Sequence, residues 1–490
     1  MKKEEFERLK YRNQYLLTPS SIECPFLHNR FNVGGEYVLY THKDLIVNSV
    51  EQEDVTLILL GDLFDYISPK KNNEEILNDL IDYEFDSFLE VIGRYTGRYV
   101  IIYLNGDKLN LVHDPIASRK IYYCNSQGDV GMASQPHLLA KVLGFRKTNK
   151  PELLNYYSSQ EFVRLSNANI GDITLYDEIR QLMPNHFLEV NGMKAFRYWP
   201  KTKIERRSIK EVTIECAKMI EGYMESISNR YEVMIPVTAG KDSRILLAAS
   251  KRFKKKVYYY VNKSGDLTDN NADISVPRRL LADLNLDFNI QVPSSEVDDE
   301  FKKIYFYNNE YASTEFLPII YNYYGKFRNK VNLPGNMAAG GLEFYKSKRI
   351  KNTGRRLAQL NHVDHYLFAN NYYDNWIAER QYLFQTLKFE MIDLFYWEER
   401  LANWGTQFQA EKDIAQEEIN LFNSRNLIAL FLSVNPKYIA IPFFKLQIGI
   451  IKLLWPEVLK IPINPGFRTS LQKILKPIGL LDAYYRLKHR

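Results

Sequence analysis

Apolar positions in the first third of the chain fall in short runs separated by polar turns. Residues 37–40 (YVLY), 44–47 (DLIV), 55–64 (VTLILLGDLF), 98–104 (RYVIIYL) and 108–114 (KLNLVHD) are rich in β-branched or aromatic side chains and are bounded by Gly, Asn or Asp. That pattern predicts strands. Residues 72–92 read as helix, so residues 37–143 form an α+β layer arrangement with at least five strands. The period then changes. Residues 233–237 (VMIPV) are a short apolar run and residues 244–249 (RILLAA) are apolar with good helix formers, with Thr238-Ala239-Gly240-Lys241-Asp242-Ser243 between them. This is strand, polar turn, helix. Residues 256–262 and 288–292 read as further strands around a helix at 273–285, and 331–333 as another strand before a glycine-rich turn. Strand and helix alternating at this spacing predict a parallel, doubly wound sheet whose ligands lie beyond the carboxyl ends of the strands. Residues 238–243, Val261-Asn262 and the turn after Leu333 then share one edge.

The most apolar stretch, residues 438–455, is broken by Pro442, Lys445 and Lys452. It is too polar for a membrane span and reads as a buried or partner-facing helix. No internal repeat or low-complexity tract appears, and 490 residues suggest more than one core. The expected division is a domain over residues 1–200 and another over 201–490.

The turn at 238–243 carries the clearest chemistry. Thr238, Ala239 and Gly240 are small, so backbone N–H groups and the helix dipole can meet a phosphate closely. Lys241 adds a cation, and the carboxylate of Asp242 suits a magnesium ion held against that phosphate. An ordinary strand-to-helix turn capped by Asp242 and Ser243 is the plainer alternative.

Composition narrows the setting. Hydrophobic residues at 45% and charged ones at 25% are those of a soluble globular protein. Sixty-five basic residues against 59 acidic ones leave a net charge of +6, which argues against a nucleic-acid partner. Cys24, Cys124 and Cys216 are widely spaced with no CxxC pair, and the amino end has no apolar run behind its lysines. These point to a reduced, cytoplasmic setting without a secretory signal.

Several segments together resemble the asparagine synthetase family. Residues 238–243 are similar to its SGGxDS pyrophosphatase loop (PP-loop), with Thr for the leading Ser and Ala for the first Gly. Upstream, six segments follow the order of that family's glutaminase domain. Leu60-Gly61-Asp62-Leu63-Phe64 stands at its GxxxN-type segment, residues 97–102 at its GxFA strand and residues 114–123 at DRLGxRPLYY. Residues 133–139 stand at FASExxAL, 174–186 at the linker TLxxGIxRLPPGH, and Phe196-Arg197-Tyr198-Trp199 at the closing RYW. The resemblance implies an N-terminal-nucleophile-type β-sandwich with flanking helices, followed by an α/β PP-loop domain with a helical C-terminal part. In the family the residue after the initiating methionine is a nucleophilic cysteine; here it is Lys2. Cys24 reads as a structural thiol, and no glutamine hydrolysis is expected. The β-lactam synthetases and lasso peptide cyclases are similar in lacking that cysteine.

The second signature, LxGxGxDExFGG, falls on residues 333–341, where Gly335 and Asn336 lie at the site and the acidic position is Ala339. Glu343 is the nearby substitute as a metal ligand beside Asp242; a glycine-rich turn with no ligand is equally open. Residues 398–425 resemble the DRxSM and ExRxPFLD segment, with Glu399, Arg400 and Trp404 near one helix face and Glu411 and Asp413 on the next turns. Glu399 and Glu411 are candidate proton acceptors, with surface ion pairs as the alternative. At the carboxyl end Arg468 stands at the family's pyrophosphate-contacting lysine, with Lys473 behind it. Val237, Arg244 and Asn262 complete the implied nucleotide contacts. The basic run at 346–356 reads as a solvated loop or as a dock for an anionic substrate.

The function so implied is an ATP- and Mg2+-dependent ligase, forming AMP and pyrophosphate. It would adenylate a carboxylate on a small molecule, peptide or saccharide and pass it to an amine. A non-catalytic nucleotide-binding homologue and an RNA-modifying PP-loop enzyme stay open as alternatives. So does the oligomeric state, homodimer included.

Overall fold

Residues 55–64 show why the amino-terminal strands read as nearly unbroken apolar runs: both faces of their sheet are covered. Ile58 and Leu60 point into the space between two sheets with Val100 and Ile102 of the adjoining strand. Leu57 and Leu59 point the other way with Tyr99, Ile101 and Tyr103, as the period of two requires. The computed structural model describes residues 2–465 apart from 20, 21, 23, 25, 127, 264, 266, 338, 346–351 and 441.

Two six-stranded antiparallel sheets stack face to face. One runs Ile179–Gln181, Tyr122–Ser126, Asp129–Ala133, Tyr15–Thr18, Tyr37–Thr41, Asn29–Val33. The other runs Lys194–Arg197, His186–Glu189, Lys108–His113, Thr96–Asn105, Val55–Phe64, Val47–Gln52. Helices cover both outer faces: Asn73–Leu80 and Phe85–Val91 on the second sheet, Pro136–Leu143 on the first. Gly61 and Gly97 lie where two central strands meet so closely that a Cβ would come within 2.2 and 2.0 Å of carbonyl oxygens across the pair.

Two sequence expectations are corrected here. Residues 72–92 form two helices, because Glu84 is extended (φ −53°, ψ 148°) and restarts the chain so that Phe85 and Phe88 pack on Tyr103 with ring centres 5.0 and 5.2 Å away. Of residues 44–47 only Val47 is in a strand; the strand runs on to Gln52 as a polar edge, which apolar patterning does not reveal.

The third sheet is parallel, in the order Asn289–Gln291, Tyr258–Asn262, Glu232–Pro236, Lys330–Asn332. Chain order therefore reads 3-2-1-4, and the connections diverge between the first and fourth strands, which makes that point a crevice. Val233 and Ile235 pack with the helices Ile209–Arg230, Lys241–Ala249 and Lys445–Leu454. Met234 faces the helices Asp299–Asn308 and Leu317–Lys326 on the opposite side. The helix expected over 438–455 spans Lys445–Leu454, since Pro442 and a left-handed Phe444 (φ 46°) precede it. A helical region follows the sheet, including Leu367–Glu379, Met391–Phe395, Tyr396–Gly405 and Thr406–Lys412. Residues 396–405 wind as a π-helix rather than with α-helical spacing. No helix among the described residues is long and apolar enough to cross a membrane.

The sandwich and the carboxyl-terminal half are joined by a buried polar seam. Arg98 donates to both carboxylate oxygens of Asp413 at 2.6 and 2.9 Å and to Glu417 at 3.0 Å. Asn423 donates to the Gly97 carbonyl at 2.8 Å and to Asp114 at 2.7 Å. Burial alone would pull the Arg98 guanidinium down, but the two facing carboxylates hold it above its ordinary value.

Candidate functional site

Residues 238–243 leave the first parallel strand at the crevice and turn at once into the helix Lys241–Ala249. The turn is tied by its own side chains: the Thr238 N–H donates to Ser243 Oγ at 3.1 Å, the two hydroxyls lie 3.0 Å apart, and the Gly240 N–H donates to Thr238 Oγ1 at 3.2 Å. Asp273, from the start of the next helix, accepts from the Ala239 N–H at 3.0 Å. Nothing in its sequence context pointed to Asp273. The N–H groups of Lys241, Asp242 and Ser243 in the first helical turn have no intrahelical carbonyl and carry the positive end of the dipole.

The glycine-rich turn after the fourth strand closes the other side. A Cβ on Gly335 would lie 3.3 Å from the Ser243 nitrogen, so the bare glycine lets the two loops pack tightly. Gly341 is pressed on the start of Met391–Phe395, where a Cβ would come within 2.2 Å of the Ile392 carbonyl oxygen. This fixes the short helix Gly341–Tyr345 and brings Glu343 across the crevice. Lys241 Nζ lies 2.8 Å from Asp242 Oδ2 and 3.1 Å from Glu343 Oε2. Burial would lower the ammonium, but the two carboxylates raise it above its ordinary value. The Phe444 ring lies 5.6 Å from the ammonium. Tyr396 adjoins the same cluster; burial pushes its hydroxyl up to about 12, aided by the charge of Asp242. Asp242 Oδ1 is buried with no hydrogen-bond partner.

Two carboxylates on one cation, one with an orphaned oxygen, are a donor set suited to magnesium, which takes one or two protein carboxylates and completes its shell with phosphate and water. Among the described residues no group of three or more metal-ligating side chains exists, so phosphate oxygens would be needed.

The other predicted residues divide. Val237 is wholly buried and donates its N–H to the Tyr260 carbonyl at 2.8 Å. Arg244 turns away from the crevice: fully buried, it donates to the carbonyls of Ile461 and Pro462, and burial lowers it to about 10. Its guanidinium is engaged by the 461–462 backbone, and a nucleotide contact through Arg244 rests on the sequence alone. Asn262 sits at the expected sheet edge, its Nδ2 2.5 Å from the Tyr323 hydroxyl and its Oδ1 buried without a partner. Asn336 contributes its carbonyl to Asn420 at 2.6 Å. Glu411 is not brought to the loop. It accepts from the Tyr305 hydroxyl at 2.6 Å, the Ser313 N–H at 3.1 Å and Gln407 at 3.2 Å, and burial raises it to about 7. Asp413 belongs to the seam with Arg98. Glu399 lies on the π-helix three residues beyond Tyr396 and accepts from the Tyr372 hydroxyl at 3.0 Å, with Oε2 unpartnered. Burial raises it to about 8 against the opposing charge of Arg380. Neither glutamate forms the surface ion pairs that were the alternative. Arg468, Lys473 and residues 346–351 of the basic run lie outside the described residues.

Cys24, Cys124 and Cys216 are buried and unbridged, and burial pushes the first two thiols up to about 11 and about 12 and the third higher still. Burial thus disfavours the thiolate at all three.

No protein-family model matches the chain, and no curated protein matches it. Among solved structures it is similar to the allosteric regulatory enzyme of purine biosynthesis, with 11% identity over 63% of this chain and 74% of that one and a TM-score of 0.25. It is also similar to the glutamine phosphoribosylpyrophosphate amidotransferase from B. subtilis complexed with ADP and GMP, with 9% identity over 74% and 75% and a TM-score of 0.24. Likenesses this low carry no weight for what the site does.

Proposed function

We propose that the chain is an ATP-dependent carbon–nitrogen ligase that adenylates a substrate carboxylate at the 238–243 loop and transfers the acyl group to an amine, without hydrolysing glutamine. The observation that carries this reading is the cluster of Lys241, Asp242 and Glu343 at the divergence point of the parallel sheet. A carboxylate oxygen attacks the α-phosphorus, the bond to the β-phosphate oxygen breaks, and pyrophosphate leaves. The amine nitrogen then adds to the acyl carbon, AMP departs with the electron pair of the C–O bond, and the amine proton passes to a base.

Each residue has a definite part. The first-turn N–H groups and the Lys241 ammonium meet charge building on the leaving pyrophosphate. Asp242 and Glu343 would hold a magnesium ion, which when bound neutralises phosphate charge. The side-chain bonds of Thr238 and Ser243 keep the turn in shape, so little reorganisation accompanies binding. Of the two glutamates Glu399 is assigned the amine proton, because it shares the π-helix of Tyr396 beside the loop cluster, whereas Glu411 is held by Tyr305, Ser313 and Gln407. Arg468 stays assigned to pyrophosphate from its place in the sequence alone. Incubation with glutamine should release no glutamate at enzymatic rates.

A non-hydrolysable ATP analogue with magnesium tests the site without knowledge of the acceptor. At a hundredfold excess over its dissociation constant it should stabilise the wild type by about 2.7 kcal/mol, and Asp242→Ala should lose most of that. No stabilisation, or equal stabilisation of the variant, would overturn the reading.

A further inference from the structure

Among the described residues, Arg400 is a cation near the crevice with no anion paired to it. It lies on the π-helix Tyr396–Gly405, directly after Glu399. Its guanidinium carbon stands over the Trp404 ring at 4.7 Å and over the Phe344 ring at 5.5 Å. Phe344 belongs to the short helix Gly341–Tyr345, which also brings Glu343 to Lys241. Tyr396, at the other end of this group, feels the charges of Asp242, Lys241, Arg400 and Glu343 together. Arg400 therefore sits where two site-forming helices meet, beside the loop cluster.

Its surroundings leave the charge unanswered. The ionisable groups around it are the hydroxyls of Tyr345, Tyr396, Tyr373 and Tyr156, and burial pulls the guanidinium below its ordinary value. The acids nearby are engaged elsewhere: Glu398 by Arg197 and Arg380, Glu399 by the Tyr372 hydroxyl, and Glu343 by Lys241. Arg400 Nε is sealed in the protein without a partner, whereas the two Nη groups are not sealed.

A half-buried charge left unpaired is costly, and the arrangement indicates what completes it. Aromatic rings flank the guanidinium and exclude water from it, so the Nη end is its open side. That end presents the N–H fork that grips a carboxylate with two parallel hydrogen bonds. Phe344 is 46% exposed, which places a free apolar surface beside the fork. An acid carried on an apolar body meets both features, its anion on the Nη groups and its body on the ring. With the neighbouring acids engaged, an ammonium on the ligand would find no partner of its own. Phosphate is met at the loop by Lys241 and the first-turn N–H groups, which leaves Arg400 for the carboxylate.

We propose that Arg400 is the docking point for the substrate's carboxylate, and that this substrate is an acid with an uncharged, apolar or aromatic body lying against Phe344. Its role as substrate rests on the ligase reading; the binding of the acid does not.

Saturation-transfer NMR titrations on the full chain, without nucleotide, test it. Benzoate and phenylacetate are the probes, benzamide the neutral counterpart and aspartate the amino-acid comparator. Wild-type protein should bind at least one of the two acids, and bind it at least tenfold more tightly than benzamide or aspartate. Arg400→Met should weaken that binding at least tenfold, with Arg400→Lys falling between. Phe344→Glu, at an exposed position, supplies an internal carboxylate beside the guanidinium and should weaken it as much. Asp242→Ala should bind the acids as the wild type does, and Arg400→Met should keep its stabilisation by the ATP analogue, so either site can fail alone. No binding of either acid, equal binding of benzamide or aspartate, unchanged binding in Arg400→Met or Phe344→Glu, or loss of analogue stabilisation in Arg400→Met would overturn the assignment.

Discussion

Lys241 is the residue on which the loop's chemistry turns. Its ammonium holds two carboxylates that would otherwise repel, one from the loop and one from the far side of the crevice. Lys241→Met should therefore cost about 1–3 kcal/mol in metal-free buffer. It should also respond to millimolar magnesium with a larger rise in melting temperature than the wild type, since the ion then replaces the lost cation. An equal response in both proteins would show that the ammonium does not share the metal's place. Glu399 gives a pH signature. Its folded pKa of about 8 stands above the usual 4.5, so its contribution is fully present below about 4.5 and is lost as pH rises through 8. Glu399→Gln cannot ionise, and its stability relative to wild type should grow by about 1.4 kcal/mol per pH unit within that window. Urea midpoints from acid to mildly alkaline pH would read this; a constant difference would contradict it.

Among the elements, the short helix Gly341–Tyr345 and the π-helix Tyr396–Gly405 act on the site without touching a phosphate. Gly341 lets the first of them sit on the backbone at Ile392. Gly341→Ala should cost about 1–3 kcal/mol through overpacking and should reduce magnesium-dependent stabilisation by shifting Glu343, which differential scanning with and without metal would show. In the π-helix the wider turn carries both Tyr396, at the loop cluster, and Glu399, tethered to Tyr372. Such windings recur at functional sites. Glu399, Arg400 and Trp404 were expected near one α-helical face, a placement that i→i+5 winding alters.

At the scale of the whole molecule, the polar seam around Arg98 decides how the halves meet. Both carboxylates that face it come from residues 413–417, far along the chain. Arg98→Met should destabilise by about 3–5 kcal/mol, because it strands buried charge. Adding Asp413→Leu should restore part of the loss, and equilibrium unfolding of the single and double variants measures both. A loss under 1 kcal/mol in the single variant would mean the seam is filled by water instead of holding the halves together.

The alternation of apolar runs and turns was enough to reveal the strands at 55–64 and 98–104 and the strand–turn–helix at 233–249, because burial on both faces writes itself directly into composition. The pairing of Asp242 with Glu343 was also within reach, since a glycine-rich turn and its following carboxylate are local signals. Other features depended on what folds against what. The inward turn of Arg244, the capture of Ala239 by Asp273, the removal of Glu411 to Tyr305 and the seating of Arg400 beside Phe344 join residues tens to hundreds of positions apart. Side-chain chemistry is carried by the chain itself, whereas the partner each group meets, and hence its charge state and use, is set only when distant segments pack.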